Sequence, residues 1–255
     1  MTTAEVLAHA YIRRERLPEL PAGAKPSTLE EAYAAREQLV PLWLGHMGGR
    51  VIGYKIGCTS ASAAEYLGLD GPFYGNLFSA LTFESPARVP ASRFFQRVVE
   101  SEFAFLIGRD VAPGAGRREI EDAIEGVIPG IEIADSRYTS WRTMGALALI
   151  ADAACHGGWI RGPLYRNWRD IDLAAQRVEL WANEKLVGSG SGAAALGHPL
   201  NALEWLVQKL GAKGIGLKAG EFITTGVTTE TYLGEAGDRI RADFGPVGSV
   251  EVTFD

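Results

Sequence analysis

Residues 98–107 read Val-Val-Glu-Ser-Glu-Phe-Ala-Phe-Leu-Ile, a β-branched and aromatic run interrupted by two acids two positions apart. That composition favours an extended strand. Side chains on a strand alternate between faces, so Glu100 and Glu102 point one way while Ser101, Phe103, Phe105 and Ile107 point the other. At about 3.3 Å per residue the two acids' Cα atoms lie roughly 6.5 Å apart. Such anions repel in a low-dielectric setting and are well placed to grip one cation. Glu132 has similar company in Gly130-Ile131-Glu132-Ile133-Ala134-Asp135. Two readings fit: acids on the wet face of an antiparallel sheet, or three carboxylates converging on a metal. With no Cys or His nearby, the metal reading means an all-oxygen site, which suits Mg²⁺ or Mn²⁺ better than Zn²⁺ or copper.

The 255 residues suffice for one large domain, or one domain with a small appendage. A 47% hydrophobic and 22% charged composition is that of a chain able to bury a core. The net charge of −6 argues against a nucleic-acid or anionic-membrane surface, either of which needs a basic excess. Cys58 and Cys155 are the two cysteines, without Cys-x-x-Cys spacing, so neither a disulfide scaffold nor a zinc ribbon is indicated and a cytoplasmic setting is expected. No signal-peptide pattern is visible at the N-terminus. The longest apolar stretch, Met144 to Ala154, contains Asp152 and is too short to span a bilayer.

Residues 4–16 predict a helix that Leu17-Pro18-Glu19-Leu20-Pro21 stops, and Ser27 or Thr28 caps a second helix to about Leu44. We therefore divide the chain into a helical N-terminal segment, 1–50, and a metal-binding catalytic domain, 51–255. Val51 to Gly57 predicts a strand carrying Lys55 on the same face as Gly53 and Gly57. Lys55 is either an edge solubiliser or a lysine aimed into a pocket, with small neighbours leaving it space. Gly68 to Asn76 predicts a loop, and Arg117 to Val127 a helix that Pro129-Gly130 ends before the Glu132 strand. Val178–Ala182 and Lys185–Gly188 predict a hairpin turning at Asn183. The glycine run 188–192 is no dinucleotide fingerprint, because Ala195 occupies the third glycine position; no G-x-S-x-G elbow occurs either. His198-Pro199 opens a helix, and short strands follow from Glu221 to Asp255.

Five segments, in order between about Tyr33 and Phe254, resemble the 2-keto-4-pentenoate hydratase and 4-oxalocrotonate decarboxylase family of the fumarylacetoacetate hydrolase superfamily. They are Gly53-Tyr54-Lys55-Ile56-Gly57; Glu100-x-Glu102; Pro129-Gly130-Ile131-Glu132 with Asp135-Ser136-Arg137; Leu196-Gly197-His198-Pro199 with Trp205-Leu206; and Gly220 to Gly226. The resemblance implies an α+β fold, a mixed β-roll core of the fumarylacetoacetate hydrolase C-terminal domain type with flanking helices. It implies Mg²⁺ or Mn²⁺ held by Glu100, Glu102 and Glu132, a catalytic Lys55, and a small-molecule 2-oxo acid substrate near Tyr74, Asp135, Arg137, Asp152 and Thr225. Homo-oligomeric assembly is implied as well. The chain departs from the family pattern at Ala153, where relatives usually carry Asn, and at Phe73-Tyr74, where an acid often precedes the aromatic.

A 2-oxo acid chelates a metal through its carboxylate and keto oxygens, and the resulting electron sink serves several reactions. Hydration of a 2-hydroxydienoate is the first expectation. Decarboxylation of a 4-oxalocrotonate-type diacid is the alternative, with Arg137 or Arg142 holding the second carboxylate. Acylpyruvate hydrolysis would need a His–Glu pair, and the chain shows no clear partner for His156 or His198. A catalytically silent homologue that binds a 2-oxo acid is the non-enzymatic reading. Asp152 fits either a solvent-facing break or an acid supporting the site.

Overall fold

The computed structural model describes residues 1–255, apart from the side chains of residues 61, 62 and 66. Helix α1, Thr3–Arg13, starts at a capping box between Thr2 and Glu5 and ends at Arg14 in the left-handed region, short of the expected residue 16. Thr28 caps α2, Leu29–Met47, which runs past Leu44 to Gly48. There follow β1 (Val51–Gly57), α3 (Ala61–Leu67), β2 (Phe73–Phe78), β3 (Thr82–Glu84), β4 (Ala87–Val89) and β5 (Val98–Ile107). The middle of the chain forms α4 (Arg117–Ala123), β6 (Ile124–Ala134), α5 (Ala146–Ala151) and β7 (His156–Arg161). It ends with β8 (Arg177–Ala182), β9 (Lys185–Ser191), α6 (Pro199–Gly211), β10 (Phe222–Val227), β11 (Tyr232–Leu233), β12 (Arg239–Asp243) and β13 (Ser249–Phe254).

These strands make two mixed sheets. The larger runs β2-β1-β10-β5-β6-β7-β3, with β11 added beside β5; the smaller runs β4-β13-β12-β8-β9. Alternation along β5 and β6 explains how they pack. Phe103, Phe105, Ile107, Ile131 and Ile133 share a buried cluster with Val178, Leu180, Ile240, Val250 and Val252 of the smaller sheet. Phe103 meets Phe244 edge to face at 5.0 Å between ring centroids. The opposite parity of these strands carries Glu100, Glu102 and Glu132. Helices α1 and α2 form a second cluster in which Leu7, Leu39 and Trp43 pack with Phe78 and Leu149.

Local pattern and tertiary pairing disagree in one segment. The helix expected through Val127 stops at Ala123, and Ile124 opens β6, which continues through Pro129 and Gly130 to Ala134. Ile124 and Val127 do fall on the stripe of a helix. As strand residues, however, they pair with Ile107 and Phe105 of β5, and both are buried. β-Branched side chains suit that pleated, two-sided environment. Gly130 is needed inside the strand, because a Cβ there would lie 2.5 Å from the indole nitrogen of Trp159 on β7. The expected loop at 68–76 likewise gives way to β2 from Phe73. The hairpin forms as its sequence predicts, with Asn183 and Glu184 both at positive φ, although β9 extends beyond Gly188 to Ser191.

Candidate active site

The β5–β6 register sets Glu100 directly opposite Glu132, with Glu102 two residues along the same face. Oxygens from the three carboxylates lie within 4.8 Å of one another. Glu102 and Glu132 are buried, and Glu100 is partly accessible. Each of the buried pair is gripped at one oxygen. The Gly226 N–H donates to Glu102 Oε2 at 2.9 Å, and His156 Nδ1 donates to Glu132 Oε1 at 3.0 Å. Their other oxygens, Glu102 Oε1 and Glu132 Oε2, accept no hydrogen bond from the protein.

Lys55 reaches this cluster from β1. Its Nζ lies 3.3 Å from Glu132 Oε2 and donates to the Ala154 carbonyl at 3.1 Å. Gly75 gives the lysine stem room, since a Cβ there would lie 3.3 Å from Lys55 Cγ. The carbonyl is delivered by a left-handed turn of Ala153, Ala154 and Cys155, with φ of 51°, 53° and 60°. Three consecutive non-glycine residues in that region are an unfavourable backbone arrangement, retained here beside the site.

The charges do not balance, with three carboxylates facing one ammonium. Burial pushes the Glu100 carboxyl up to about 7, aided by Glu132 and opposed by Lys55. Burial also raises Glu102 well above the usual carboxylate range, and Glu132 and Glu100 add to the shift. Glu132 is held below that range, since Lys55 and His156 outweigh the effect of burial. Burial would lower Lys55, but Glu132, Glu100 and Glu102 together hold it above the ordinary lysine value. Three converging carboxylates, with Glu102 Oε1 lacking any hydrogen-bond donor and Glu132 Oε2 held only by the Lys55 ammonium, form an all-oxygen cluster that a hard divalent cation would suit. The donor set fits such an ion.

Glu100, Glu102 and Lys55 open into a cavity of about 330 Å³. Leu67, Phe73, Trp141, Leu149 and Val227 supply much of its wall, with Thr59 and Thr231 as polar points. Lys55 is the one cation among the described lining residues.

Other expected site residues lie elsewhere. Arg137 and Asp152 form a fully buried ion pair behind the cavity, with Arg137 Nε 2.5 Å from Asp152 Oδ1. This corrects the expectations of a solvent-facing break and of a substrate-binding Asp152, which faces neither solvent nor the cavity; the reading of an acid supporting the site from behind remains. Arg137 is likewise unable to hold a second substrate carboxylate. Asp135 accepts from the backbone N–H groups of Phe95 and Gln96, fixing the start of β5. Thr225 Oγ1 donates to the Phe103 carbonyl. Tyr74 stacks on Tyr33 at 4.7 Å, with the Arg36 guanidinium over its ring. None of these five lines the cavity. Ala153 is buried outside the lining as well, whereas Phe73 is part of it.

A further correction concerns His156, which does have a carboxylate partner in Glu132. His198 caps α6, its Nδ1 accepting from the Leu200 N–H. His156 was missed because its pairing depends on an irregularity in the β6–β7 register, where Ala134 faces His156 directly after Ile133 faces Gly158. Sequence spacing does not reveal such a bulge. The Gly226 donor was hidden for the same reason, since the β10–β5 register shifts between Thr224 and Val227.

A β-roll core that brings three carboxylates and a lysine to one cavity defines an oxygen-donor metalloenzyme. The chain belongs to the fumarylacetoacetate hydrolase family: residues 62–255 match its C-terminal domain. Among curated relatives, 2-keto-4-pentenoate hydratase 1 of Dechloromonas aromatica (strain RCB) is 34% identical over 226 residues, covering 88% of this chain and 85% of the relative. The 2-hydroxyhexa-2,4-dienoate hydratase of Comamonas testosteroni is 35% identical over 230 residues, covering 89% and 86%. Among solved structures, 4-oxalocrotonate decarboxylase from Pseudomonas putida G7, complexed with magnesium and adipate, superposes with a TM-score of 0.90 at 27% identity. That match covers 99% of this chain and 96% of the decarboxylase. Among the described residues, no helix is long and apolar enough to cross a membrane.

Proposed function

We propose that the protein is a divalent-metal-dependent hydratase that adds water to a 2-hydroxydienoate, giving a 4-hydroxy-2-oxo acid. The observation that carries this reading is the cavity's charge pattern: Glu100, Glu102 and one lysine, backed by Glu132, at one end, with largely apolar walls beyond. That arrangement suits a substrate with one anionic head and an uncharged tail. Hydratases prevail among the named relatives, consistent with this choice.

Glu100, Glu102 and Glu132 would hold the ion, Mg²⁺ or Mn²⁺. A divalent ion there supplies Lewis acidity toward the keto and carboxylate oxygens of a 2-oxo acid. Lys55, fixed by Ala154 and Glu132, places positive charge where enolate character develops. Protonation of the dienol at its terminal carbon gives a conjugated 2-oxo enoate. Water then adds its hydroxyl at C4 and a proton at C3. The apolar walls limit bulk water around this chemistry.

A diacid decarboxylase is the second reading, favoured by the close structural likeness to the Pseudomonas enzyme. Such an enzyme needs a cation for its second carboxylate. Arg142, its guanidinium 4.8 Å over the ring of the lining residue Trp141, is the group it would recruit.

With Mg²⁺, the purified protein should bleach the absorbance of 2-hydroxypenta-2,4-dienoate and yield a hydroxy-keto acid identified by mass. It should leave 4-oxalocrotonate undecarboxylated. Release of CO₂ from that diacid would replace this reading with the decarboxylase, and inertness toward both would favour a silent binder.

A further inference from the structure

Thr59 presents a buried hydroxyl that the protein leaves without a hydrogen-bond partner. The residue is 4% exposed, it lines the catalytic cavity, and its Oγ1 is unpartnered. A buried hydroxyl normally finds a partner, because leaving it unsatisfied costs about 1–3 kcal/mol. This one is also held tightly in place. The Thr59 carbonyl accepts from the Leu196 N–H at 3.1 Å, and its side chain packs against Gly226 so closely that a Cβ there would lie 2.1 Å from Thr59 Oγ1. Gly226 is the residue whose N–H grips Glu102. The hydroxyl therefore neighbours the backbone that holds Glu102, and Thr59, Glu100 and Glu102 line the same cavity.

Resting on the hydratase reading above, we propose that Thr59 is a substrate-binding residue whose hydroxyl donates to a carboxylate oxygen of the 2-oxo acid head group. A hydroxyl is a suitable donor here. It adds no charge to a site that already holds Lys55, and its fixed position selects one orientation of the head. The apolar walls then receive the tail. The glycine at 226 serves two functions in this arrangement: its N–H orients Glu102, and its missing side chain admits Thr59. Gly226 also has a φ of +100°, a conformation that side-chain-bearing residues rarely adopt.

The test compares Thr59→Val, which keeps the shape and removes the hydroxyl, with Thr59→Ser, which keeps the hydroxyl. The probe is 2-oxopentanoate, a saturated 2-oxo acid that cannot be hydrated, titrated calorimetrically into the Mg²⁺-saturated protein. Thr59→Val should weaken its binding about 10- to 100-fold, the usual effect of losing a hydrogen bond to a charged group. It should raise KM for the dienoate by a similar factor, with a smaller change in kcat. Thr59→Ser should restore both to within about threefold of wild type, and Mg²⁺ affinity should hold in both variants. Should the valine variant fold poorly, Thr59→Ala supports the same comparison.

Wild-type affinity for 2-oxopentanoate in the valine variant would overturn the assignment. So would a serine variant as impaired as the valine one, or a loss of Mg²⁺ affinity that accounts for the weaker binding, which would make Thr59 a buttress for Glu102 only. A wild-type protein that binds Mg²⁺ but neither 2-oxopentanoate nor the dienoate would overturn the hydratase reading itself, and this assignment with it.

Discussion

Two clusters of buried charge lie within this fold, and they are built on opposite plans. In the Arg137–Asp152 pair almost every polar atom is satisfied. Asp152 Oδ1 accepts from Arg137 Nε, Oδ2 accepts from Ser136 Oγ at 2.8 Å and the Arg137 N–H at 2.9 Å, and the Asp152 carbonyl accepts from Arg137 Nη2 at 2.7 Å. Arg137 Nη1 lacks a hydrogen-bond partner, but the guanidinium lies 4.9 Å over the ring of Trp43. Among the carboxylates, by contrast, three acids face one lysine; Glu102 Oε1 is buried without a hydrogen-bond partner, and Glu132 Oε2 has only the Lys55 ammonium beside it at 3.3 Å. Arg137, Asp152, Glu102 and Glu132 are all buried to a similar degree, with Glu100 alone partly accessible. What distinguishes a structural cluster from a reactive one is therefore the balance of charge and the fate of each lone pair, not depth.

The largest expected effect comes from breaking the balanced cluster. Asp152→Asn strands a fully buried guanidinium and should cost about 3–5 kcal/mol in urea unfolding, while the folded fraction still titrates Mg²⁺ normally. A variant of unchanged stability with a raised KM would instead make Asp152 the substrate ligand that the family resemblance implies. The unbalanced cluster should respond in the reverse sense. Glu102→Gln removes a carboxylate that burial and like charges disfavour, and it keeps an acceptor for the Gly226 N–H. We expect Mn²⁺ affinity to fall about 100-fold or more by calorimetry, with no loss of stability in the metal-free protein. A variant that binds Mn²⁺ normally and unfolds easily would place Glu102 among the structural residues.

How much of this contrast was legible in the sequence follows from what a period can encode. The face shared by Glu100 and Glu102 is a consequence of two-residue alternation, Glu132 and Lys55 stand out by the same strand patterning, and the family resemblance joins the four in one site. Arg137 and Asp152 belong to the same recognisable motifs, yet motif membership does not say whether a charge ends on the cavity or behind it. That depends on the left-handed turn after α5 and on Trp43, which comes from a helix far away in sequence. His156, Thr59 and Gly226 were invisible for a different reason: register shifts in β6–β7 and β10–β5 decide which atoms meet. The helix expected through Val127 was lost to pairing with β5, a long-range contact that overrode a local stripe.

Lys55 tests the contrast at its most sensitive point, being the one cation set against three acids. Lys55→Met removes attraction for the carboxylates without removing any donor oxygen. Metal affinity should therefore hold or rise, while kcat for the dienoate falls about 100-fold. If turnover is retained, the lysine serves only to neutralise charge, and the two clusters differ less in kind than their geometry suggests.

The smallest effect is a difference in pH dependence. The Glu100 carboxyl, pushed up to about 7 from an ordinary value of 4.5, binds its proton more tightly in the folded state than in the unfolded chain. Between those values the native state holds the extra proton, so the stability of the metal-free protein should fall as pH rises from about 4.5 to 7. Glu100 contributes at most about 1.4 kcal/mol per pH unit to that slope. The balanced cluster adds no such slope through Arg137, because Asp152 and Asp135 overcome the lowering effect of burial and hold the guanidinium above its ordinary range. Saturating Mg²⁺ favours the ionised carboxylates, so it should flatten the profile and, below pH 7, release protons measurable by calorimetry in buffers of different ionisation enthalpy. Glu100→Gln should reduce the metal-free slope without abolishing it, because the raised Glu102 carboxyl contributes a slope of the same sign. A slope left unchanged by this substitution would place the pH-sensitive strain in the other acids of the trio alone.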